Sequence, residues 1–556
     1  MEDFDPKYTE KCSKITVFSL EKGFFSEFHE SVKESCGDDW IERNFAKISG
    51  GKEKLRELLE HDASAGPILG TLEHVTPIFK GKDFSKALKK RFEGDRKLQE
   101  GNFQSARILL SQAIIKAPQG NAENERKFLA ETIWKRSEAL IGMEEGEKAL
   151  QDMKYATEMG LQIKQSPEYF WRMAKCYILK YDLKARKNEQ EQLKGPSEKL
   201  EITSTSSKGK FFIASRDINP GEDVICETPV AACLLPEFFG SHCLHCQVRL
   251  VAPIGCPECC SVAFCSQECQ KVACSSYHRF ECKYLDLLIG SGMSVLSFVA
   301  LRLITESGTY EQAVESVKSI LDTLCRHSEM RSGDDYLQRC LMSIFLLRIL
   351  QKSGFFGRRT TESVEPTLKE LHIAEIILHL LEALQFNAHE IYETLLGSQN
   401  SIVGSKVVYI GVAIYKKASL FNHDCFPAVA RYFSGNKLRL TALRPIAAGN
   451  AVTENYGPVF TKQDGRQRQR NLRSRYWFHC ECLSCRENWP KLEELSNKSR
   501  INCPSFKCEK FFSFPDHPEK KIKCSQCKSH ISLLHNVTRV KEAEDLYRKG
   551  AEAMDV

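Results

Sequence analysis

The chain has 556 residues, 42% hydrophobic and 27% charged, so its composition is that of an ordinary globular protein and favours neither disorder nor a fibrous class. At roughly one domain per 150 residues, this length predicts three to five units. The net charge of +6 balances 79 basic against 73 acidic residues, which is too even to argue for nucleic-acid binding.

The first residues of the sequence do not follow the pattern of a secretory signal. Met1 is followed by Glu2, Asp3 and Asp5, without a basic segment leading into an apolar one, so we expect no secretory signal. The longest apolar stretch, 287–301, is shorter than the roughly 20 residues of a membrane span, and we predict one buried helix there and no membrane contact. We therefore expect a cytoplasmic and nuclear protein whose cysteines bind zinc.

The first third of the chain is predicted to be helical. We assign residues 1–80 to a helical segment and residues 84–190 to TPR-like helical repeats, because small residues recur where two helices would cross, as at Gly94 and Ala106. A generic helical bundle is the alternative. Stacked repeats would offer a concave surface to peptides, and the Gly-, Pro- and Ser-containing stretch 191–207 is predicted to be a linker.

Residues 208–242 begin a β-rich region, since an aromatic and β-branched run is followed by a Pro220-Gly221 turn. A cysteine-rich segment, 243–282, comes next. It contains eight candidate metal ligands: Cys243, Cys246, Cys256, Cys259, Cys265, Cys269, His278 and Cys282. Eight ligands suit two tetrahedral zinc sites, although spacing alone does not decide how they pair. Chance occurrence or disulfides are the alternative.

Apolar residues at helical spacing predict helices over 283–385. The segment 386–460 follows, with an Asn422-His423-Asp424-Cys425 loop that ends 31 residues before Tyr456. Residues 461–486 then supply Cys480, Cys482 and Cys485, which are only three donors, whereas a structural zinc needs four.

The last predicted metal site lies in residues 500–530, where Cys503, Cys508, Cys524 and Cys527 form a zinc-ribbon-like pattern. Free structural thiols are the alternative there. Residues 531–556 are predicted to form a C-terminal helix.

A basic run precedes these last cysteines, at Arg466, Arg468, Arg470, Arg473 and Arg475. We interpret it as the solvated face of a helix rather than as a contact for an acidic peptide or nucleic acid.

The order of these motifs over residues 200–486 resembles the SET and MYND domain protein-lysine methyltransferases, in particular their TPR-bearing fourth subgroup. The resemblance implies that the segment 243–282 is a MYND finger with interleaved ligands. One zinc would take Cys243, Cys246, Cys265 and Cys269, and the second Cys256, Cys259, His278 and Cys282. It also implies that Cys425 completes the zinc site of the post-SET segment.

The same resemblance implies a pocket for S-adenosylmethionine. The residues that match the family's cofactor-binding positions are Lys208, Gly209, Lys210, Asn387, Ser419, Asn422, His423, Tyr456 and Phe478. Tyr456 would also be the catalytic residue, orienting a substrate lysine, and Phe478 would stack on adenine. A lone tyrosine or histidine is more often a core residue, so the prediction depends on the whole set.

The sequence departs from the family pattern at Phe211, where a second glycine is usual, and at Ala428, where an asparagine is usual. In addition, only residues 537–554 remain as a helix after the zinc clusters, where the family carries a further helical domain. These departures support a competing hypothesis, a non-catalytic zinc-dependent adaptor.

We therefore predict an α+β multidomain fold. It would combine N-terminal TPR-like repeats, a β-rich SET domain split by a MYND finger and a helical insert, and a cysteine-rich post-SET and zinc-ribbon-like tail. The predicted function is lysine methylation of a histone or non-histone protein with S-adenosylmethionine and zinc as cofactors. We expect a monomer that binds protein partners through the finger and the repeats, without direct nucleic-acid binding.

Overall fold

A computed structural model describes residues 23–120, 122–186, 199–206, 208–357, 365–398, 401, 404–494, 500–505, 508 and 510–554. The chain divides into two compact units. The first takes the described residues of Met1–Ile391, Ile410–Asn422 and Val429–Val452, and the second those of Tyr392–Tyr409, His423–Ala428 and Thr453–Val556.

The first unit contains most of the helices. In chain order they are α1 (Phe24–Cys36), α2 (Asp38–Arg43), α3 (Gly51–Glu60), α4 (Asp62–Glu73), α5 (Phe84–Gln99), α6 (Phe103–Lys116), α7 (Glu123–Gly142), α8 (Gly146–Glu158), α9 (Pro167–Arg186), α10 (Gln267–Ser275), α11 (His278–Glu281), α12 (Leu285–Gly290), α13 (Val295–Thr305), α14 (Tyr310–Leu321), α15 (Gly333–Lys352) and α16 (Leu368–Asn387).

One hydrophobic core combines the amino-terminal helices of this unit with helices of the segment 295–387. Apolar side chains of α1, α3 and α4 pack with those of α13, α15 and α16, and the rings of Phe24 and Phe345 meet edge to face at 5.7 Å between centroids. Helix α16 begins with a capping box in which Thr367 and Glu370 satisfy each other's backbone N–H groups. The helical insert thus buries its apolar face against the amino-terminal helices.

Helices α5 to α9 occupy the region predicted to hold TPR-like repeats, and each packs against the next along the chain. Gly94 on α5 faces α6 so closely that an added Cβ would lie 2.8 Å from Leu110 Cγ, and this explains the small residue at the crossing. A buried ion pair joins α7 to α8, since Arg136 Nε and Nη2 each donate to Asp152 at 2.8 Å. Arg136 also donates to the carbonyl of Pro253 at 2.7 Å.

The strands of the first unit form small antiparallel sheets. Their bounds are β1 (Leu200–Thr205), β2 (Gly209–Ala214), β3 (Asp223–Glu227), β4 (Ala231–Leu234), β5 (Ile254–Gly255), β6 (Ala263–Phe264), β7 (His389–Leu395), β8 (Lys406–Ile414), β9 (Val429–Ser434) and β10 (Lys437–Ala442), of which β7 and β8 run on into the second unit. β1 pairs with β2 and β5 with β6, while the two three-stranded sheets have the orders β3-β10-β9 and β4-β8-β7.

Two local features differ from the sequence predictions. Residues 200–205 fall inside the predicted linker 191–207, yet they form β1 because their backbone pairs with β2; residues 191–198 and 207 lie outside the described residues. The apolar stretch 287–301 is two helices, not one. The chain breaks after α12 because Gly292 has φ +70° and Ser294 caps α13 by accepting the N–H of Leu296.

The second unit contains shorter elements. They are α17 (Gly465–Tyr476), α18 (Leu483–Arg486), β11 (Arg500–Asn502), β12 (Phe511–Ser513), β13 (Ile522–Lys523), β14 (His530–Ile531) and α19 (Leu534–Met554). β11 pairs with β12 and β13 with β14 around a small core that includes Cys503 and Cys524. Val537 attaches the start of α19 to this core, and most of the described side chains beyond it are exposed.

The predicted α+β multidomain fold class is confirmed, with many helices, small sheets and cysteine-rich clusters. None of the helices in the described ranges combines the length and the hydropathy that a bilayer crossing requires.

Candidate functional site

Four groups of side chains in the described residues bring four potential metal-binding atoms within 4.8 Å of one another. The first two groups lie in the segment 243–282, which we call the finger. They are Cys243, Cys246, Cys265 and Cys269 in one group, and Cys256, Cys259, His278 and Cys282 in the other. This is the interleaved grouping that the family resemblance implied.

Short elements of the finger position these ligands. The β5–β6 pair and helix α10 hold the cysteines, and Ser266 caps α10 by accepting the N–H of Cys269 at 3.2 Å. Cys260 and Cys274 lie outside both groups.

A buried charged pair supports the histidine ligand. The Nδ1 of His278 lies 3.2 Å from Oε1 of Glu281, while its Nε2 lies 3.6 Å from the Cys259 sulfur. Arg302 donates to the same carboxylate at 2.7 and 3.1 Å and to the Ala232 carbonyl at 2.7 Å. Burial opposes ionisation of Glu281, but Arg302 and His278 outweigh it and lower the pKa of Glu281 to about 2. The carboxylate therefore orients His278 with Nε2 toward the metal site.

The third group lies in the second unit and joins Cys425 to Cys480, Cys482 and Cys485. Two residues of α17 hold it in place. Gln469 exchanges two hydrogen bonds with the backbone of Cys480, at 2.7 and 3.0 Å. Arg468 is fully buried and donates to the Ser484 carbonyl at 3.0 Å, with the Cys485 sulfur 3.7 Å away.

The fourth group is the ribbon-like set Cys503, Cys508, Cys524 and Cys527, where two sulfur pairs lie 3.8 and 3.7 Å apart. These separations test whether zinc fits. Tetrahedral Zn–S bonds of about 2.3 Å place the sulfurs about 3.8 Å apart, whereas a disulfide would bring them to about 2.05 Å. Sulfur separations of 3.4 to 3.8 Å recur in the other groups, and the cysteines of all four groups are free thiols. The donor sets therefore suit zinc.

The predicted cofactor residues of the first unit form two local sets. Asn422 donates its side-chain N–H to the carbonyl of Lys208 at 3.2 Å and so ties the Asn-His loop to the start of β2. Gly209 follows with φ +63°, where a side chain would be strained, and the side chains of Lys208 and Lys210 are exposed.

Asn387 and Ser419 form the other set. Asn387 donates to the carbonyls of Ala383 and Cys325 at 2.7 and 3.0 Å, and Ser419 lies 3.4 Å from the Asn387 carbonyl. The amide N–H groups of Asn387 thus close the end of α16, a structural contact that the sequence did not reveal.

The other predicted residues lie together in the second unit. The Nδ1 atom of His423 accepts the backbone N–H of Tyr456 at 3.0 Å, and its ring lies 5.3 Å from that of Tyr456 and 6.1 Å from that of Phe478. Tyr476, which the sequence analysis missed, packs 5.1 Å from Tyr456 and donates its hydroxyl to the Tyr456 carbonyl at 3.1 Å. Tyr456 is therefore held on both sides of its backbone.

His423 is neutral in this setting, because burial lowers its pKa to about 4. Since Nδ1 accepts a hydrogen bond, the proton resides on Nε2, which lies 3.3 Å from the Cys425 sulfur. The histidine thus connects the backbone of Tyr456 to the third ligand group.

The two departures from the family pattern are both buried. Phe211 is 8% exposed and lies on β2 opposite Thr203, so its side chain is packed within the protein rather than exposed to solvent. Ala428 is fully buried, and its backbone donates to the carbonyl of Thr453 at 2.8 Å. Nearby, Asn455 donates its side-chain N–H to the Asp424 carbonyl at 3.1 Å, so the loop keeps hydrogen bonds without an asparagine at 428.

Two further supporting residues were not predicted. Arg302 is the one charged residue in the apolar helix α13, and that is the signal that could have revealed it; Glu281 lies between Arg279 and Lys283 in a polar stretch that gives no such signal. Arg468 was assigned to a solvated helix face, and this was wrong for Arg468 because it points inward to the third ligand group.

Comparison with known proteins supplies names for similar chains. No family model matches this chain. The protein-lysine N-methyltransferase SMYD4 of Pongo abelii is 24% identical, in an alignment covering 73% of this chain and 67% of that protein. SMYD4 of Mus musculus is 25% identical over 53% of this chain, and the chain spans only about half of that relative, 47%. A SET and MYND domain-containing protein of Dictyostelium discoideum is 22% identical over 59% of this chain and 95% of its own length.

Proposed function

We propose that this chain, which belongs to the SET and MYND domain family, is a protein-lysine N-methyltransferase that takes its methyl group from S-adenosylmethionine. Relatives aligned with it are named as protein-lysine N-methyltransferases, which favours an enzyme over the adaptor hypothesis. Because the alignments cover only part of several relatives, the proposal also needs support from the residues of this chain.

The observation that carries the proposal is the placement of Tyr456. Its backbone N–H donates to Nδ1 of His423 and its carbonyl accepts the hydroxyl of Tyr476, so two side chains hold the backbone of this tyrosine. The chain of contacts continues from His423 to Cys425 and the other cysteines of its group. A catalytic group is effective when its neighbours hold it in place before substrate binds.

S-adenosylmethionine, when bound, supplies a methyl carbon on a positive sulfur, which a neutral amine attacks directly. The task of this chain is then to align the amine and keep it unprotonated. Alignment contributes on the order of 7 to 11 kcal/mol in well-oriented reactions. A lysine has a pKa near about 10.4 in water, and desolvation lowers it. In our proposal the Tyr456 hydroxyl orients the amine.

The remaining predicted residues serve the cofactor in this proposal. The residues in these roles would be Lys208, Gly209, Lys210, Asn387, Ser419, Asn422, His423 and Phe478, with Phe478 against adenine. These roles are carried over from the family, residue by residue.

We propose four zinc ions, one for each group of ligands. Zinc in the third group would make the geometry around His423 and Tyr456 depend on metal, because ligation energy becomes folding energy. The finger and the TPR-like repeats would recruit protein partners, and the substrate would be a protein with a target lysine. We propose a monomer that works in the cytoplasm and the nucleus.

The test is calorimetric titration of S-adenosylmethionine into zinc-loaded protein, with transfer of tritiated methyl groups to a lysine peptide array. Tyr456→Phe is expected to keep cofactor binding within a fewfold and to lower methyl transfer by at least about 100-fold, a size typical of losing a positioned catalytic group. The matched control is Tyr432→Phe, at an exposed tyrosine on β9. Absence of cofactor binding to the folded, zinc-loaded protein would refute the proposal.

A further inference from the structure

A cleft of about 1060 Å³ lies in the second unit beside the third ligand group. One wall is helix α17, and the other is formed by residues 479–488. The charged residues in its lining are Arg466, Arg470, Arg473, Glu481 and Arg486. The lining therefore contains four guanidinium groups and one carboxylate.

Helix geometry explains why the arginines converge. Arg466, Arg470 and Arg473 are four and three residues apart, so they share one face of α17, and all three are exposed. Arg468 lies on the opposite face and is buried. Four of the five arginines of the basic run thus have two roles: Arg468 points inward and supports the third ligand group, and a row of three lines the cleft. The fifth, Arg475, lies over the ring of Tyr476.

No carboxylate pairs with this row within the described part of the chain. With zinc bound, the four thiolates of the third ligand group, two of which line the cleft, would carry a net charge of about −2, and buried Arg468 would offset part of it, so the surface would stay positive. Among the described residues, Arg473 is hydrogen bonded to Nδ1 of His479 at 2.8 Å, and no ion pair to Arg466, Arg470 or Arg486 occurs there. Carboxylates elsewhere on the same unit do pair with arginines, as in Arg548 with Asp545 at 3.0 Å. Uncompensated guanidinium groups along a concave surface attract an anionic ligand.

The spacing and the chemistry of the lining favour a peptide. With a rise of about 1.5 Å per residue, the three arginines of α17 are about 6 and 4.5 Å apart along the helix axis. Alternate side chains of an extended peptide are about 6.6 Å apart, so acidic residues at every second position come close to the first of these spacings, and the long, exposed arginine side chains can span the difference of about 2 Å at the second. Single-stranded nucleic acid is usually held by stacking on aromatic side chains, and none of the described residues that line the cleft is Phe, Tyr or Trp.

We propose that this cleft, the arginine cleft, binds an extended acidic segment of a partner protein, with guanidinium–carboxylate pairs along α17. This function is separate from methyl transfer, since the cleft needs neither the cofactor nor Tyr456. It gives the post-SET segment a role as a docking surface in addition to its role in holding metal.

The test uses fluorescence anisotropy with the whole zinc-loaded protein in low salt. The probe is a fluorescein-labelled nine-residue peptide with Glu at alternate positions and Ser between them, and the reference peptide carries Gln in place of Glu. Saturable binding of the Glu peptide is expected, with at least tenfold weaker binding of the Gln peptide. Binding should also weaken as sodium chloride rises.

Two sets of variants locate the binding. The triple variant Arg466→Gln, Arg470→Gln and Arg473→Gln is expected to weaken Glu-peptide binding by about 10- to 100-fold. Each charged pair contributes modestly to the binding free energy, and this variant removes three of them. The matched control removes three exposed charges from the same unit, as Arg500→Gln, Arg539→Gln and Arg548→Gln, and should leave binding within about twofold.

Zinc content measured on both variants checks that the ligand groups stay intact. Equal loss of binding in the two triple variants, unchanged binding in the cleft variant, or tighter binding of a single-stranded oligonucleotide than of the Glu peptide would each overturn the proposal.

Discussion

Replacing Glu281 by leucine is expected to damage the finger more than any exposed substitution in it. The carboxylate accepts two hydrogen bonds from buried Arg302 and lies 3.2 Å from Nδ1 of His278. Both partners are buried, so the leucine leaves a charge and a ring N–H without an acceptor. Breaking one partner of a buried ion pair costs about 3 to 5 kcal/mol, and loss of the carboxylate behind a histidine ligand costs about 10- to 100-fold in metal affinity.

A second variant separates these two effects. In Glu281→Leu with Arg302→Met, the unpaired charge is gone, so most of the lost stability should return, apart from about 1 kcal/mol for the Ala232 carbonyl that Arg302 bonds. The affinity for zinc should stay about 10- to 100-fold weak, because His278 still lacks its orienting carboxylate.

Amide hydrogen exchange of residues 243–282 measures the local stability, and release of zinc to a competing chelator measures the affinity. At 3 to 5 kcal/mol, exchange of the protected amides should accelerate by about 10²- to 10⁴-fold. Glu268→Gln, at an exposed position of α10, is the control. If the double variant regains wild-type zinc affinity together with its stability, the orienting role of Glu281 is refuted.

Three further outcomes are expected. Cys425→Ser should release one zinc equivalent and weaken S-adenosylmethionine binding, whereas Cys226→Ser, at an exposed free thiol, should change neither; zinc content and calorimetry measure both. Arg136→Ala should destabilise helices α5 to α9 by about 3 to 5 kcal/mol because it leaves the buried Asp152 carboxylate without its ion-pair partner, and faster limited proteolysis of this region measures the loss. Burial, together with the nearby charges of Arg326 and His372, lowers the pKa of His379 to about 4, below the usual 6.5. As pH falls, His379 of the unfolded chain therefore binds a proton first. The free energy of unfolding keeps its full value from this residue above about pH 6.5 and decreases as pH falls toward 4. His379→Asn should flatten that part of a stability–pH profile.

The candidate metal-binding residues were predictable because zinc ligands occur at short spacings that can be recognised along the sequence. Short Cys-x2-Cys spacings place two ligands on one turn, and such pairs can be recognised without knowing the fold. The family prediction, which rested on the order of these motifs, is confirmed by the named relatives. The pairing of Cys425 with cysteines more than 50 residues away came only from the resemblance.

Helical regions were also visible in the sequence, since periodicity is a local property. Composition was misleading at 200–205, where a Ser- and Thr-containing stretch becomes a strand because β2 is available to pair with it. The break at Gly292 was likewise hidden within an apolar run, and only the backbone geometry reveals it.

The sequence by itself determined which residue types could hold metal, where helices form and which family the chain resembles, because these depend on neighbours along the chain. The tertiary structure alone decided which charges are buried. Arg468 and Arg470 are two residues apart in one basic run, yet one supports the cysteine group and the other lines the arginine cleft. Glu281 acquires its role only because folding brings Arg302 to it across 21 residues. Burial sets the cost of leaving a charge unpaired, and burial is a property of the folded chain as a whole.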